Sequence, residues 1–336
     1  MQDLRSRLRG SLLAGAVGDA LGAPIEFASW AEIQARFGPA GLCELEPAWG
    51  RRGAITDDTQ LVLFTAEGLV LAARAGALAR PSERRRHLHR AYLRWLRTQG
   101  ESSAHPTFER TLEGRLLEVA DLHARRAPGS TCLAALRGGR MGRLEQPLNA
   151  SKGCGGVMRA APAGLARGVA DPFRLGCEAA ALTHGHPTGT LAAGFLAHAL
   201  RELVLGAGLP EALADALEEL RRWPAHEECA AAVLAAQEAA RAGPPGPADL
   251  EALGAGFTAE EALAIALACA LAAPDLEAGL RLAVNHGGDS DSTGSLAGQL
   301  LGALHGEGAI PPRWLEALEL RAEIERLADE LASECG

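Results

Sequence analysis

Two adjacent aspartates stand between two threonines just ahead of an apolar segment with helical periodicity. The stretch reads Ile55-Thr56-Asp57-Asp58-Thr59-Gln60, and the apolar segment begins at Leu61. A helix N-terminus needs only one residue such as Thr or Asp as its cap. Two neighbouring carboxylates exceed that need, and their repulsion destabilises the fold unless a cation offsets it. The pattern therefore favours a cation site, with an ordinary capped turn as the alternative.

A second acidic turn precedes another helix of small residues, far along the chain from the first. It reads Gly287-Gly288-Asp289-Ser290-Asp291-Ser292-Thr293-Gly294. An Asp-x-Asp pair beside hydroxyls is an oxygen ligand set that suits Mg²⁺ or Mn²⁺, whereas Zn²⁺ prefers His and Cys. Taken singly, this turn also fits ordinary loop chemistry. Together the two turns supply four carboxylates, and they predict a two-metal site that positions and activates water.

A glycine-rich turn that contains the only lysine forms the third polar cluster, Asn149-Ala150-Ser151-Lys152-Gly153-Cys154-Gly155-Gly156-Val157-Met158-Arg159. Exposed amides in such a turn are typical of a site for phosphate oxygens, although a purely structural turn remains an alternative. The turn Gly129-Ser130-Thr131-Cys132 is a weaker candidate of the same type. We interpret His184 and His186 as local hydrogen-bonding residues, with a phosphate or ribose contact as a second hypothesis for His184.

The elements that position these clusters are predicted to be helices. The 336 residues are dominated by Ala, Leu, Gly and Arg, only 4% are aromatic, and apolar residues recur at helical spacing. Convincing strands and internal repeats are missing, which excludes an all-β fold and a helical solenoid. We expect one all-α domain over residues 1–336, with the segment around positions 262–273 as a core helix. The arginine-rich stretch at 80–97 is interpreted as a solvated helix face.

The net charge limits the kinds of partner that we expect, and the cysteine content indicates the cellular compartment. A formal charge of −9 argues against a generic nucleic-acid surface. The seven cysteines include no Cys-x-x-Cys pair and fit a reduced, cytoplasmic protein. The basic start followed by an apolar run imitates a signal peptide, but the early Asp19 and Glu26 favour a buried first helix. We expect no membrane segment and a monomer.

At this point the sequence resembles the ADP-ribosylglycohydrolases, which include the dinitrogenase reductase-activating glycohydrolase and the ADP-ribosyl-acceptor hydrolases. The resemblance covers nearly the whole chain. It rests on four ordered segments: Gly15-Ala16-Val17-Gly18-Asp19-Ala20-Leu21-Gly22 leading to Glu26, Thr56-Asp57-Asp58-Thr59, residues 153–159, and the turn at 287–294 with Ala297-Gly298-Gln299. It implies a compact multi-helix orthogonal bundle with a binuclear Mg²⁺ or Mn²⁺ centre.

The resemblance also implies roles for individual residues. The metal ligands would be Thr56, Asp57, Asp58, Asp289, Asp291 and Ser292. The substrate contacts would be Gly129, Ser130, Thr131, Ser151, Gly153, Cys154, Gly155 and His184, while Glu26 would lie beside the distal ribose. Cys154 departs from the Asn that several members carry in a Gly-Asn-Gly sequence. Ala127 departs from an acidic residue of the nitrogenase-regulating enzyme, which bears on whether the acceptor is arginine.

The activity that follows is hydrolysis of the glycosidic bond between ADP-ribose and an acceptor. Asp289 or Asp58 is expected to take a proton from the attacking water, with Glu26 fixing a ribose hydroxyl or assisting proton transfer. Two alternatives remain at this stage. One is a non-catalytic ADP-ribose-binding or structural member of the family, and the other is a metal-dependent phosphohydrolase acting on a nucleotide diphosphate.

Overall fold

The structure is a computed structural model that describes residues 2–110 and 113–336, and it is built almost entirely of helices. Its strands are a two-residue hairpin, β1 (Pro47–Ala48) paired antiparallel with β2 (Arg51–Arg52). The prediction of an all-α fold is confirmed. The helices are α1 Gln2–Gly22, α2 Trp30–Phe37, α3 Asp57–Arg74, α4 Pro81–Thr98, α5 Ser130–Arg137, α6 Ala161–Leu165, α7 Pro172–Ala181, α8 Pro187–Leu205, α9 Leu209–Leu220, α10 Glu227–Arg241, α11 Pro247–Glu251, α12 Ala259–Ala272, α13 Leu276–Val284, α14 Ser290–His305, α15 Pro312–Ala317 and α16 Arg321–Glu334.

Helices α1 and α14 pack backbone against backbone and run antiparallel. A Cβ added to Gly18 would lie 2.0 Å from the carbonyl oxygen of Gly294, and one added to Gly298 would lie 2.0 Å from that of Ala14. Only glycine permits such an approach, because any larger side chain would clash with the opposite backbone. The contact fixes the C-terminal end of α1 against the N-terminal turn of α14. Two polar segments distant in sequence are thereby brought together.

The apolar run after the basic start is a buried part of α1, as expected. Leu12, Leu13 and Val17 are each at most 2% exposed. Within the described residues, we find no helix whose length and hydropathy would let it span a bilayer. All seven cysteines are free thiols.

The arginine-rich helix α4 differs from its interpretation as a solvated face. Arg84 and Arg94 are buried, and each pairs with a buried glutamate of a neighbouring helix. The Arg94 guanidinium lies 2.6 Å from the Glu67 carboxylate, and that of Arg84 lies 3.1 Å from Glu178. The interpretation was wrong for these two positions, because the glutamates that neutralise them come from other helices. The sequence of residues 80–97 alone does not indicate these glutamates.

Candidate metal centre and substrate cavity

A cavity of about 340 Å³ lies where the ends of α1, α3, α5 and α14 meet the glycine-rich turn before α6. One wall is acidic and an adjoining wall is rich in glycine. The acidic wall consists of Glu26, Asp57, Asp58, Asp289, Asp291 and Ser292. The glycine-rich wall consists of Gly129, Ser130, Thr131, Gly153, Cys154, Gly155 and His184. The two acidic turns predicted from the sequence therefore face one common space.

The first acidic turn begins α3. Thr56 is the N-cap, and its Oγ1 accepts a hydrogen bond from the amide of Asp58 at 3.2 Å. The Asp57 carboxylate accepts one from the amide of Gly129 at 3.1 Å, which ties this turn to the glycine-rich wall. Thr56 is fully buried and does not line the cavity, so the structure places it behind the carboxylates.

A buried aspartate that sequence analysis did not assign holds this turn in place. The Asp19 carboxylate, at the end of α1, accepts hydrogen bonds from the amides of Thr56 at 3.0 Å and Thr59 at 3.1 Å, and a short one from the Thr59 hydroxyl. Asp19 therefore caps α3 from outside the helix, satisfying amides that lack partners within it. An isolated carboxylate in an otherwise apolar helix was the available signal.

The second acidic turn begins α14. Asp289 is the N-cap, and its amide donates to the carbonyl of Ala255 at 2.8 Å. The preceding Gly288 has φ +151°, and a Cβ there would lie 2.1 Å from the same carbonyl oxygen, so glycine is required. Carboxylate oxygens of Glu26, Asp289 and Asp291 all lie within 4.8 Å of one another. This spacing is short enough for a single ion to contact all three.

The acidic wall carries more buried negative charge than the described residues neutralise. No Arg, Lys or His of those residues lies within ion-pair distance of Asp19 or of the five carboxylates on the wall. Burial and then the charge of Asp291 raise the pKa of Asp19 to about 7, and the same two causes raise the pKa of Glu26 to about 9. Burial is the main reason that the pKa values of Asp57, Asp58 and Asp289 are well above their usual range. Without a cation, these groups hold protons that exposed carboxyls would have lost.

Two carboxylate oxygens of the acidic wall have no hydrogen-bond partner among the described residues. Oδ1 of Asp58 and Oδ1 of Asp291 are buried and accept no hydrogen bond. A buried acceptor of this kind is costly to leave unsatisfied. The oxygen donors match the preference of Mg²⁺ and Mn²⁺. The residues present thus fit divalent cations.

The glycine-rich wall presents backbone amides. Gly129 is the N-cap of α5 and offers no capping side chain, so the first amides of that helix remain available to an anion. A Cβ on Gly155 would lie 3.0 Å from the Cys132 sulfur and 3.1 Å from the His184 ring, so a larger residue would crowd this wall. Ser151 does not line the cavity. Its hydroxyl instead contacts that of Thr131 at 3.1 Å and supports the turn from behind.

Buried cations brace the glycine-rich turn without entering the cavity. The Arg159 guanidinium is fully buried and donates to the carbonyl of Gly155 at 2.7 Å and to the hydroxyl of Thr183 at 2.7 Å. Lys152 pairs with Glu228 and Glu260 on two other helices, so its charge is already engaged away from the cavity. Burial and then Arg159 lower the pKa of His184 to about 3, which keeps this ring neutral.

Two phenylalanines lie at the cavity mouth. Phe27 follows Glu26 directly and Phe257 precedes α12, and their rings stack with centroids 5.6 Å apart. They are 69% and 40% exposed, which is unusual for residues of this type. Sequence analysis did not assign either residue. The run of glycines before Phe257 was the available signal of a close backbone approach.

Comparison with known proteins places the chain in a family. A sequence model described as ADP-ribosylglycohydrolase matches residues 1–336, and the chain belongs to that family. It is 27% identical to the ADP-ribosyl-[dinitrogen reductase] glycohydrolase of Rhodospirillum rubrum, an alignment that covers 99% of this chain and 98% of that protein. It is 25% identical to the ADP-ribosylarginine hydrolase Tri1 of Pseudomonas putida (strain GB-1), in an alignment that covers 97% of this chain and 77% of that protein.

A solved structure agrees with this assignment. The chain matches an ADP-ribosylglycohydrolase-related protein complex with a TM-score of 0.70 and 30% identity over all of both chains. The resemblance seen in the sequence is confirmed, and so is the helical fold it implied. Curated relatives that are ADP-ribosyl hydrolases support a glycohydrolase class for this protein. The roles of the individual site residues stay predictions.

Proposed function

We propose that the protein is a metal-dependent hydrolase that cleaves the glycosidic bond between ADP-ribose and an acceptor and releases ADP-ribose. One observation carries the proposal. Five carboxyls without a cationic partner among the described residues, those of Glu26, Asp57, Asp58, Asp289 and Asp291, line a cavity that also carries amides suited to phosphate oxygens. A diphosphate at one wall would place a sugar near the other. The continuous hydrophobic core supports a single domain over residues 1–336.

The metal site in this proposal is formed by the two acidic turns. Two divalent cations, Mg²⁺ or Mn²⁺, would be held by Thr56, Asp57, Asp58, Asp289, Asp291 and Ser292. When bound, such ions supply Lewis acidity and lower the pKa of water from about 15.7 towards neutrality. The orphaned Oδ1 atoms of Asp58 and Asp291 support this ligand set. Thr56 contributes through the capping geometry that orients Asp58.

The chain's own groups then handle the proton and the charge. Asp289 or Asp58 accepts a proton from the attacking water. The oxygen of this water bonds to the anomeric carbon, and the bond between the sugar and the acceptor breaks. Positive charge develops on the sugar ring in an oxocarbenium-like transition state, and the surrounding carboxylates stabilise it. Glu26 lines the cavity beside these groups, where it would fix a ribose hydroxyl or assist proton transfer.

The glycine-rich wall positions the rest of the substrate. The turn at Gly129, Ser130 and Thr131 and the turn at Gly153, Cys154 and Gly155 would line the diphosphate. The amides of Ser130, Thr131 and Gly155 would be the donors, because those of Gly129, Gly153 and Cys154 already donate within the chain. His184 is neutral and lies at this wall, where it would contact a phosphate or the ribose. Ser151 would act indirectly, by holding the turn through its contact with Thr131.

The test is release of ADP-ribose from a panel of ADP-ribosylated acceptors, with arginine, serine and O-acyl linkages assayed separately. We expect Asp57→Asn and Asp291→Asn to lose at least roughly a hundredfold in kcat/KM, and EDTA to abolish turnover of the wild type. Asp121→Asn is the matched control, because Asp121 is exposed and does not line the cavity.

The products separate this function from its two alternatives. Intact ADP-ribose supports the glycohydrolase, whereas AMP identifies a phosphohydrolase. Unchanged release of ADP-ribose in both variants would contradict the proposed centre. Binding of ADP-ribose without turnover of any linkage would identify a non-catalytic member of the family.

A further inference from the structure

The glycine-rich wall places a thiol against the acidic one. Cys154 lines the cavity, and its Sγ lies 3.0 Å from Oδ2 of Asp289. The sulfur atom therefore lies beside one of the expected cation ligands, in the cavity that the other carboxylates also line.

The backbone holds this sulfur in position. The amide of Cys154 donates to the carbonyl of Phe257 at 3.1 Å, and its own carbonyl accepts from the amides of Val157 at 2.9 Å and Met158 at 3.1 Å. Gly153 on one side pairs with Thr258 in an isolated bridge. These bonds fix the backbone of Cys154 at the cavity wall.

A second observation points to a ligand beside this thiol. Oδ1 of Asp58 and Oδ1 of Asp291 are buried without a hydrogen-bond partner, and the two residues are 3% and 2% exposed. Asp58 and Cys154 line the same cavity, so a cation bound at Asp58 would occupy the space that this thiol faces. The thiol is thus available as a further donor to the same ion.

From this contact we infer that Cys154 Sγ is a donor at the metal centre and sets its cation preference, so that the centre binds thiophilic ions such as Cd²⁺ and Zn²⁺ more tightly than Mg²⁺. The inference rests on the proposed function, because it requires the acidic turns to hold cations. Sulfur ligands select softer ions, while carboxylates alone favour Mg²⁺ and Mn²⁺. When the sulfur–cation bond forms, the S–H bond breaks and its proton passes to the solvent.

The experiment compares Cys154→Ser with the wild type and with Cys43→Ser. Cys43 is a partly exposed thiol that does not line the cavity, which makes it the matched control. Cd²⁺ and Mg²⁺ are titrated separately into the full chain after chelation. Calorimetry gives the affinity, and the ultraviolet charge-transfer absorption of a sulfur–cadmium bond reports coordination by sulfur without any need for turnover.

We expect the wild type and Cys43→Ser to show the sulfur–cadmium absorption and Cys154→Ser to lack it. The serine variant should bind Cd²⁺ at least roughly tenfold more weakly. Its Mg²⁺ affinity should stay within roughly threefold of the wild type, since Mg²⁺ draws on oxygen donors. Retention of the Mg²⁺ affinity also shows that the variant is folded.

The outcomes separate this inference from the proposed function. If the wild type binds Mg²⁺ but the sulfur–cadmium absorption is absent, or persists in Cys154→Ser, the role of Cys154 is wrong and the metal centre stands. If Cys154→Ser loses affinity for Cd²⁺ and Mg²⁺ equally, Cys154 does not set the cation preference and the inference is likewise wrong. If the wild type binds neither cation, the proposed function and the inference both fail.

Discussion

The protein buries charge in two regions and balances it in opposite ways. In the helical scaffold, three buried ion pairs join charges of opposite sign: Arg94 with Glu67, Arg84 with Glu178, and Arg126 with Glu319. Around the cavity, five buried aspartates and the half-buried Glu26 meet only hydrogen-bond donors and one another among the described residues. Both regions carry a desolvation cost. The scaffold offsets that cost within the chain, and the cavity does so by retaining protons or binding cations.

The contrast distinguishes a structural ion pair from a candidate binding site. Burial alone does not distinguish the two, since Glu67 and Asp58 are 5% and 3% exposed. The two carboxylates differ in their hydrogen-bond partners. Glu67 accepts hydrogen bonds from Arg94 and from the amide of Leu116, whereas Oδ1 of Asp58 accepts none. Incomplete neutralisation is therefore the feature that indicates function here.

The largest expected effect comes from breaking a pair in the scaffold. Arg94→Met leaves the Glu67 carboxylate buried without its counter-charge, and we expect the free energy of unfolding to fall by about 3–5 kcal/mol. Urea denaturation of the metal-free protein measures it.

Arg74→Met is the matched control for that variant. Arg74 pairs with Glu334 at 3.2 Å but is 47% exposed, so its removal should cost less than about 1 kcal/mol. Equal losses in the two variants would show that burial of the Arg94–Glu67 pair carries no special weight.

A smaller effect per pH unit is expected from the carboxyls of the cavity. The pKa values of Asp19 and Glu26 are raised in the folded protein to about 7 and about 9, above their ordinary values of 3.8 and 4.5. The folded state then binds more protons than the unfolded state between roughly pH 4 and 9. The extra bound protons stabilise the folded state. Their contribution to the free energy of unfolding is complete below that window and is lost as the pH rises through it. We expect the metal-free protein to lose up to about 1.4 kcal/mol per pH unit for each proton released.

Two controls sharpen the pH prediction, with stability measured by urea denaturation across pH 5–9. Saturating Mg²⁺ should flatten the slope, because cations replace protons on the carboxylates. Asp58→Asn should also reduce it, because one of the repelling charges is removed. If the free energy of unfolding of the metal-free protein stays level or rises between pH 5 and 9, the claim that the cavity holds unneutralised carboxyls is wrong.

The sequence predicted those features that depend on local chemistry. Thr56 and Asp289 cap their helices as expected for such residues at an N-terminus, and the periodicity of the apolar residues identified the helical fold. The expectation that residues 57 and 58 lie near 289 and 291 came from shared ligand chemistry. The structure places all four aspartates on one cavity wall.

Features that depend on packing between distant segments were not predicted. Asp19 caps α3 from another helix, and no local pattern around it indicates that contact. Burial of Arg84 and Arg94 depends on glutamates from other helices. Ser151 and Thr56, which the resemblance assigns to the site, do not line the cavity, and their roles stay predictions. Which side of a turn faces a cavity is set by its tertiary neighbours.

The most direct measurement of the central claim is anomalous diffraction from crystals of the protein soaked in Mn²⁺. The account predicts two anomalous peaks in the cavity, within coordination distance of carboxylates from both Asp57/Asp58 and Asp289/Asp291. An acidic wall without anomalous density at saturating Mn²⁺, or ions bound only at exposed carboxylates elsewhere, would contradict it.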